Sequence, residues 1–230
     1  MAQGIFVTGT DTGVGKTRVA VALLRGLAGD GYRVVGMKPV AAGIDAGCAV
    51  NADVAALAAA STFVADPADA NPYAFTPAIA PHLAAERVGV AIDVERCAQA
   101  YSRLAARADF VVVEGAGGAL VPLGGGADML DLPRRLELPV LLVVGVRLGC
   151  LNHALLTALA IRARGLALAG WVANRIDPAM DEADANVRAL STLLAAPPLA
   201  DLGWDAAQTP PAPLRDAAAA LGRRSNRARP

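Results

Sequence analysis

A glycine-rich run, Gly9-Thr10-Asp11-Thr12-Gly13-Val14-Gly15-Lys16-Thr17, follows the apolar stretch Ile5-Phe6-Val7 and leads into a segment of helical period. In a strand–loop–helix context of this kind, successive backbone N–H groups point inward and cradle phosphate oxygens, helped by the positive end of the helix. Lys16 adds a point charge for the outer phosphates, and Thr17 offers a hydroxyl to a magnesium ion that bridges them. The spacing is irregular. Thr10 stands where the first glycine of the usual loop would be, and counting from Gly9 leaves five intervening residues before Gly15. The context outweighs the spacing, so the run reads as an ATP-binding phosphate loop, against the plainer reading of a glycine-rich turn.

Three more ionisable residues fall where α/β proteins keep their chemistry, near the carboxyl ends of strands. Lys38 ends a second apolar strand and is followed by Pro39. A lysine there must meet an anion or solvent, because an unpaired buried charge is costly; an ordinary salt-bridged lysine is the alternative. Glu114 ends a third strand in Val111-Val112-Val113-Glu114-Gly115-Ala116-Gly117-Gly118. A carboxylate in that place can hold magnesium, and the glycines after it allow an anion close to the backbone. Asp53 opens a predicted helix and reads equally well as an acid of the capping region.

These residues need a scaffold, and the chain supplies a regular one. Short β-branched runs alternate with Ala/Leu-rich segments, the pattern of an α/β fold whose mostly parallel central sheet is covered by helices on both faces. Strands are expected at Gly4–Thr8, Arg33–Lys38, Phe110–Glu114, Val140–Val146 and Leu168–Asn174, with a weaker one at Leu199–Leu202. Helices are expected at Gly15–Ala28, Ala52–Ala60, Asp93–Ala108, Asn152–Arg164 and Met180–Leu194. The proline-rich segment Asp66–Pro81 reads as an ordered loop with extended pieces, and Leu214–Leu221 as a last short helix. Residues 1–222 are expected to form one domain and 223–230 a basic, disordered tail carrying Arg223, Arg224, Arg227 and Arg229.

Composition narrows the class. The chain has 230 residues, is 55% hydrophobic and carries zero formal net charge, which argues against a nucleic-acid-binding body. Only 4% is aromatic, so the core is expected to be built from Ala, Val and Leu. Cys48, Cys97 and Cys150 lack metal-ligand spacing and read as buried free thiols. No signal peptide is expected. Pro139–Ile161 is too interrupted by Arg147, Gly149, Asn152 and His153 to span a membrane, so a cytoplasmic location is expected.

The phosphate loop together with Lys38-Pro39-Val40 and Val113-Glu114-Gly115-Ala116-Gly117-Gly118 resembles dethiobiotin synthetase. Val144-Gly145-Val146-Arg147-Leu148-Gly149-Cys150-Leu151-Asn152-His153, Gly170-Trp171-Val172-Ala173-Asn174, Asn71-Pro72-Tyr73 and Ala80-Pro81-His82 extend the resemblance, in order, from about residue 4 to residue 205. It implies closure of a cyclic urea on 7,8-diaminononanoate with CO2 and ATP, in biotin synthesis. The steps implied are carboxylation of an amine, phosphorylation of the carbamate to a carbamic-phosphoric anhydride, and displacement of phosphate by the second amine. It further implies a homodimer, with neither nucleic acid nor membrane as partner.

The residue roles are also those the resemblance implies. Gly13, Val14, Gly15, Lys16, Thr17 and Arg18 would hold the phosphates, with Gly115, Ala116 and Gly117 nearby. Thr17, Asp53 and Glu114 would hold magnesium, while Lys38 and Lys16 would act as the catalytic cations. Asn174, with Arg175, would read the adenine, and Gly203, Trp204 and Asp205 would close the base pocket. Thr12, Lys38, Ala42 and Gly117 would meet the substrate, as would Leu148, Gly149, Cys150 and Asn152 from the dimer interface. Three positions depart from family members: Ala42 for a serine, Gly203 for a proline, and Gly13 for a larger, often acidic residue.

Three rival readings share the loop. A partition-type ATPase carries a second lysine five positions before the main one, where this chain has Asp11. Cobyrinate-type amidating enzymes carry an added glutaminase domain, which these 230 residues are not expected to accommodate. A catalytically silent binding protein of the same fold is the third.

Overall fold

The strand register places the charged residues before any helix is considered. The computed structural model describes residues 3–204; Asp205, the helix expected at Leu214–Leu221 and the arginine tail lie outside the described residues. Gln3–Gly9 (β1) runs through the phosphate loop into Lys16–Gly29 (α1), and then Val34–Met37 (β2) and the short Val40–Ala42 (β3) follow. Ala52–Ala60 (α2), Pro67–Ala70 (α3), Tyr73–Phe75 (β4), Pro81–Arg87 (α4) and Val94–Ala105 (α5) lead to Phe110–Glu114 (β5). A small hairpin, Pro122–Gly124 (β6) and Ala127–Asp128 (β7), precedes Asp131–Leu136 (α6). Val140–Val146 (β8), Cys150–Ala163 (α7), Leu168–Arg175 (β9), Ala183–Leu193 (α8) and Ala200–Leu202 (β10) complete the order.

Six strands form one parallel sheet in the order β10-β9-β8-β1-β5-β2. Successive side chains of a strand point to opposite faces. Ile5, Val7, Phe110 and Val112 accordingly pack with Val19, Leu23, Leu24 and Leu27 of α1 and with Leu57 of α2. Phe6, Val111, Val113, Val35 and Met37 face the other way, against Cys97, Ala100 and Leu104 of α5. A third cluster joins Leu142, Val144 and Trp171 to Ala154 and Ala158 of α7 and Leu190 of α8. Each large aliphatic side chain buried this way contributes about 1.5–3 kcal/mol.

Val7 lies opposite Glu114, and Met37 opposite Val113. Continuing the alternation by one residue sends Lys38 and Glu114 from adjacent strands to the same face, the face that carries α1 and α2. All six expected strands are present.

The differences are local and have physical causes. Segment 66–81 is more than a loop. Asp66 accepts the Ala68 N–H with its side chain and caps the one-turn α3, and β4 pairs with β3. Asn71, beyond α3, donates from Nδ2 to the Lys38 carbonyl at 2.6 Å, and Lys38 N–H donates to Ala70 O. Helix α7 starts two residues before the expected Asn152, because Gly149 takes the left-handed conformation (φ 92°) that caps it. The expectation for the thiols needs a correction: Cys97 and Cys150 are buried, but Cys48 is exposed. It sits in a surface turn closed by its own N–H to Asp45 O, with no element packed over it.

Candidate active site

The phosphate loop is held by its neighbours as much as by its own glycines. Thr10 N–H donates to Val143 O in β8, which ties the start of the loop to the adjacent strand. Gly15 has φ 88°, and a Cβ placed there would lie 2.2 Å from Asn174 Nδ2. Only glycine fits both the backbone conformation and the approach of Asn174. That amide, 2% exposed, donates to Val14 O at 2.8 Å and accepts from Arg18 Nη1 at 2.8 Å. Arg18 also donates to Gly203 O at 3.0 Å. Of the residues assigned to the nucleotide base, Asn174 is thus bonded to the phosphate loop directly and Gly203 through Arg18.

Four side chains converge on the face shared by β2 and β5. Lys38 Nζ lies 2.6 Å from Glu114 Oε1 and 2.8 Å from Asp53 Oδ2. Thr17 Oγ1 is 2.8 Å from Asp53 Oδ1 and 2.9 Å from Glu114 Oε1. Asp53 reaches the site because Asn51, not Asp53, caps α2. The Asn51 side chain accepts the N–H groups of Asp53 and Val54, leaving the Asp53 carboxylate free to point inward.

One hydroxyl hydrogen cannot serve two carboxylates at once, so one of the two Thr17 contacts brings oxygen lone pairs together. Glu114 Oε2 is buried with no hydrogen-bond partner. Three oxygens converging beside an orphaned carboxylate oxygen suit a hard divalent cation, whose ligands are oxygens of this kind. Among the described residues, no group of three or more His, Cys, Asp or Glu side chains is placed to hold a metal. The cluster at Thr17 has two carboxylates and needs further oxygens from a ligand.

Burial, and then the neighbouring Lys38 ammonium, lower the Lys16 pKa from 10.5 to about 8. For Lys38 burial opposes the charged form, but Glu114 and Asp53 outweigh it and raise the ammonium above the ordinary lysine value. Burial also opposes charge on Asp53, yet Lys38 beside it and the Thr17 hydroxyl hold its carboxyl below the usual range. Glu114 lies deepest, and there burial prevails over Lys38 and pushes its carboxyl up. The two ammonium groups and two carboxylates match in number, but both carboxylates are engaged by Lys38, while the Lys16 ammonium rests on the Asp11 carbonyl and is the cation placed to meet an anion.

A cavity of about 680 Å³ opens over this cluster. Thr12, Gly13, Gly15, Lys16, Thr17, Lys38, Ala42, Asp53, Glu114, Ala116 and Gly117 all line it. Sequence reasoning missed Ala78, Ile79, Ala80, Pro81 and Val121, which also line it, and Asn71, which clamps the Lys38 backbone. Their only signal was the chain of short motifs around Asn71-Pro72-Tyr73 and Ala80-Pro81-His82. Arg175 is bound to Asp201 at 2.7 Å and Asp184 at 2.6 Å. Leu148, Gly149, Cys150 and Asn152 do not line this cavity: Leu148 is 91% exposed, and the Cys150 side chain is buried in the core beneath α7.

A family model described as an AAA domain matches residues 3–212. The ATP-dependent dethiobiotin synthetase BioD of Nitrosospira multiformis is 57% identical over 205 residues, covering 89% of this chain and 90% of its own length. That of Aromatoleum aromaticum is 55% identical, with coverages of 84% and 86%. The chain belongs to the ATP-dependent dethiobiotin synthetase family. It is therefore an ATP-using ligase, and the loop and cavity described above are those of a dethiobiotin synthetase family member. Solved structures of lower identity share the fold. They include a ParA family ATPase from Chlorobium tepidum (TM-score 0.57, 14% identical, 96% of this chain and 98% of that one). The MinC:MinD complex of Aquifex aeolicus gives a TM-score of 0.59 at 16% identity, covering 100% and 98%. No helix among the described residues is long and apolar enough to cross a membrane.

Proposed function

We propose that the chain closes the cyclic urea of dethiobiotin on 7,8-diaminononanoate, using CO2 and ATP, with the chemistry carried by the Lys16–Lys38 pair over the Thr17–Asp53–Glu114 cluster. One amine nitrogen attacks the carbon of CO2 and loses a proton, giving a carbamate. A carbamate oxygen attacks the γ-phosphorus, and ADP leaves with the bond pair. The second amine then attacks the carbonyl carbon of the mixed anhydride, loses its proton, and phosphate departs.

No side-chain nucleophile enters this balance, so the protein's task is placement and charge neutralisation. The loop amides of Gly13 to Thr17 and the Lys16 ammonium hold the outer phosphates. Lys38, its backbone clamped by Asn71 and its ammonium kept charged by Glu114 and Asp53, faces the carbamate. Ala42 lines the cavity and lacks a hydroxyl, so contact there is through backbone and methyl group. Thr17, Asp53 and Glu114 would hold magnesium, which when bound neutralises the charge shared by the β- and γ-phosphates. Asn174 and Arg175, with Gly203 and Trp204, would border the adenine.

We further propose a homodimer. Leu148, Leu156 and Leu159 are 91%, 56% and 64% exposed on and beside α7. Pairing that surface would bring the N-terminal end of α7, with Gly149, Cys150 and Asn152, to the carboxylate end of the neighbour's substrate.

The buried Lys38 between two carboxylates and beside the phosphate loop is the observation that carries this reading. ADP formation is expected only when diamine, bicarbonate and magnesium are all supplied. Vigorous ATP hydrolysis without the diamine would sink the synthetase reading and favour a switch ATPase.

A further inference from the structure

Asp11 is the only acidic residue in the Gly9–Thr17 loop, and a carboxylate is out of place in a loop that binds anions. Its two carboxylate oxygens and its main-chain carbonyl are all engaged. Asp11 Oδ2 meets Arg147 Nη2 at 2.6 Å. Asp11 Oδ1 accepts the N–H of Thr12 at 2.7 Å, which locks the carboxylate to its own backbone. Its main-chain carbonyl accepts Lys16 Nζ at 2.9 Å. Arg147 follows directly on β8, the strand that also takes Thr10 N–H, so the guanidinium stands on a fixed support.

We propose that Arg147 is a positioning residue, which cancels the loop's own carboxylate and fixes the Asp11 carbonyl from which Lys16 is aimed. With Arg147 in place, phosphates entering beside Thr12 meet a loop without net negative charge at its apex. Without it, the Asp11 carboxylate, still held by the Thr12 N–H, repels them uncompensated, and the residue whose carbonyl holds Lys16 loses its tie to the end of β8. The pair is roughly half exposed, with side-chain exposures of 41% and 48%. Exposed pairs of this kind contribute little to fold stability, so its value lies in local charge and orientation. The inference rests on the triphosphate lying along this loop, as in the function proposed above.

The test is titration calorimetry with a non-hydrolysable ATP analogue and magnesium, in the absence of diamine. Arg147→Met is expected to weaken binding ~10-fold, the size of an uncompensated like charge at short range in a partly screened site. Adding Asp11→Asn to Arg147→Met is expected to restore most of the lost affinity, which a purely structural role would not do. Asp11→Asn alone, with Arg147 kept, is expected to bind at least as tightly as the native chain. This arm carries the test if circular dichroism shows Arg147→Met to be misfolded. Native affinity in Arg147→Met, no recovery in the double variant, or a tenfold loss in Asp11→Asn overturns the proposal. Failure of the native chain to bind the analogue would instead remove the phosphate-site reading on which it rests.

Discussion

Lys38 Nζ lies 2.6 Å from Glu114 Oε1, with both side chains at 5% exposure or less. The contact joins the ends of two neighbouring parallel strands, and it exists because β2 and β5 pair with Met37 opposite Val113. A slip of one residue in that pairing would turn one of the two charges to the other face.

The placement of Lys38 predicts a split in kinetics. Lys38→Ala should lower kcat by ~100-fold or more, as expected for loss of a charge that acts on the transition state. The ATP dissociation constant should change far less, since Lys16 and the loop amides remain. Steady-state rates with equilibrium nucleotide binding check this; equal collapse of binding and turnover would assign Lys38 to the nucleotide instead.

Gly15→Ala should be severely disruptive. The new Cβ would collide with Asn174 Nδ2 at 2.2 Å in a conformation that L residues rarely adopt. Strain and displacement of that amide should cost about 2–4 kcal/mol. Urea denaturation measures the loss, and an unchanged midpoint would mean that the loop tolerates a side chain there.

The exposed leucines on and beside α7 predict self-association. Light scattering at micromolar concentration should give twice the chain mass, and Leu159→Glu should shift the protein toward monomer with loss of turnover. A native monomer with full activity would refute a site shared between subunits.

Alkaline pH should weaken the fold through Cys97. Burial first, and then Asp93, push its thiol from 9.0 to about 12. The raised folded value means stability is fully present below pH 9.0 and is lost as pH rises toward about 12, because the unfolded chain ionises first. Three pH units correspond to about 4 kcal/mol at most. Cys97→Ala should flatten the fall in denaturation midpoint between pH 9.0 and about 12; an identical fall in both proteins would locate the effect elsewhere. The same burial predicts that a maleimide at neutral pH labels the exposed Cys48 before Cys97 or Cys150.

Much of this was legible in the chain. The strands β5 and β8 are continuous apolar runs, as strands covered on both faces must be; Glu114 ends β5, Lys38 follows β2, and Lys16 and Thr17 follow the loop after β1. Local information suffices there because each residue's place follows from its own strand or loop. The 66–81 segment was less legible. Its one-turn helix and three-residue strand are too short for a period to show, and they exist by pairing with β3 and by capping at Asp66.

What the sequence alone determined was the loop, the sheet and the identity of the charged residues, through motifs and periods that act over a few neighbours. Only the tertiary structure showed that Asp53, an acid in the first turn of α2, also joins the cluster of Thr17, Lys38 and Glu114. It did so by giving the cap to Asn51 and bringing Thr17, 36 positions away, to 2.8 Å from the Asp53 carboxylate. Only the fold, likewise, paired Asp11 with Arg147 across 136 positions. Such contacts depend on which strands lie side by side, and strand order is settled by packing the whole sheet between its helices rather than by any local run of residues.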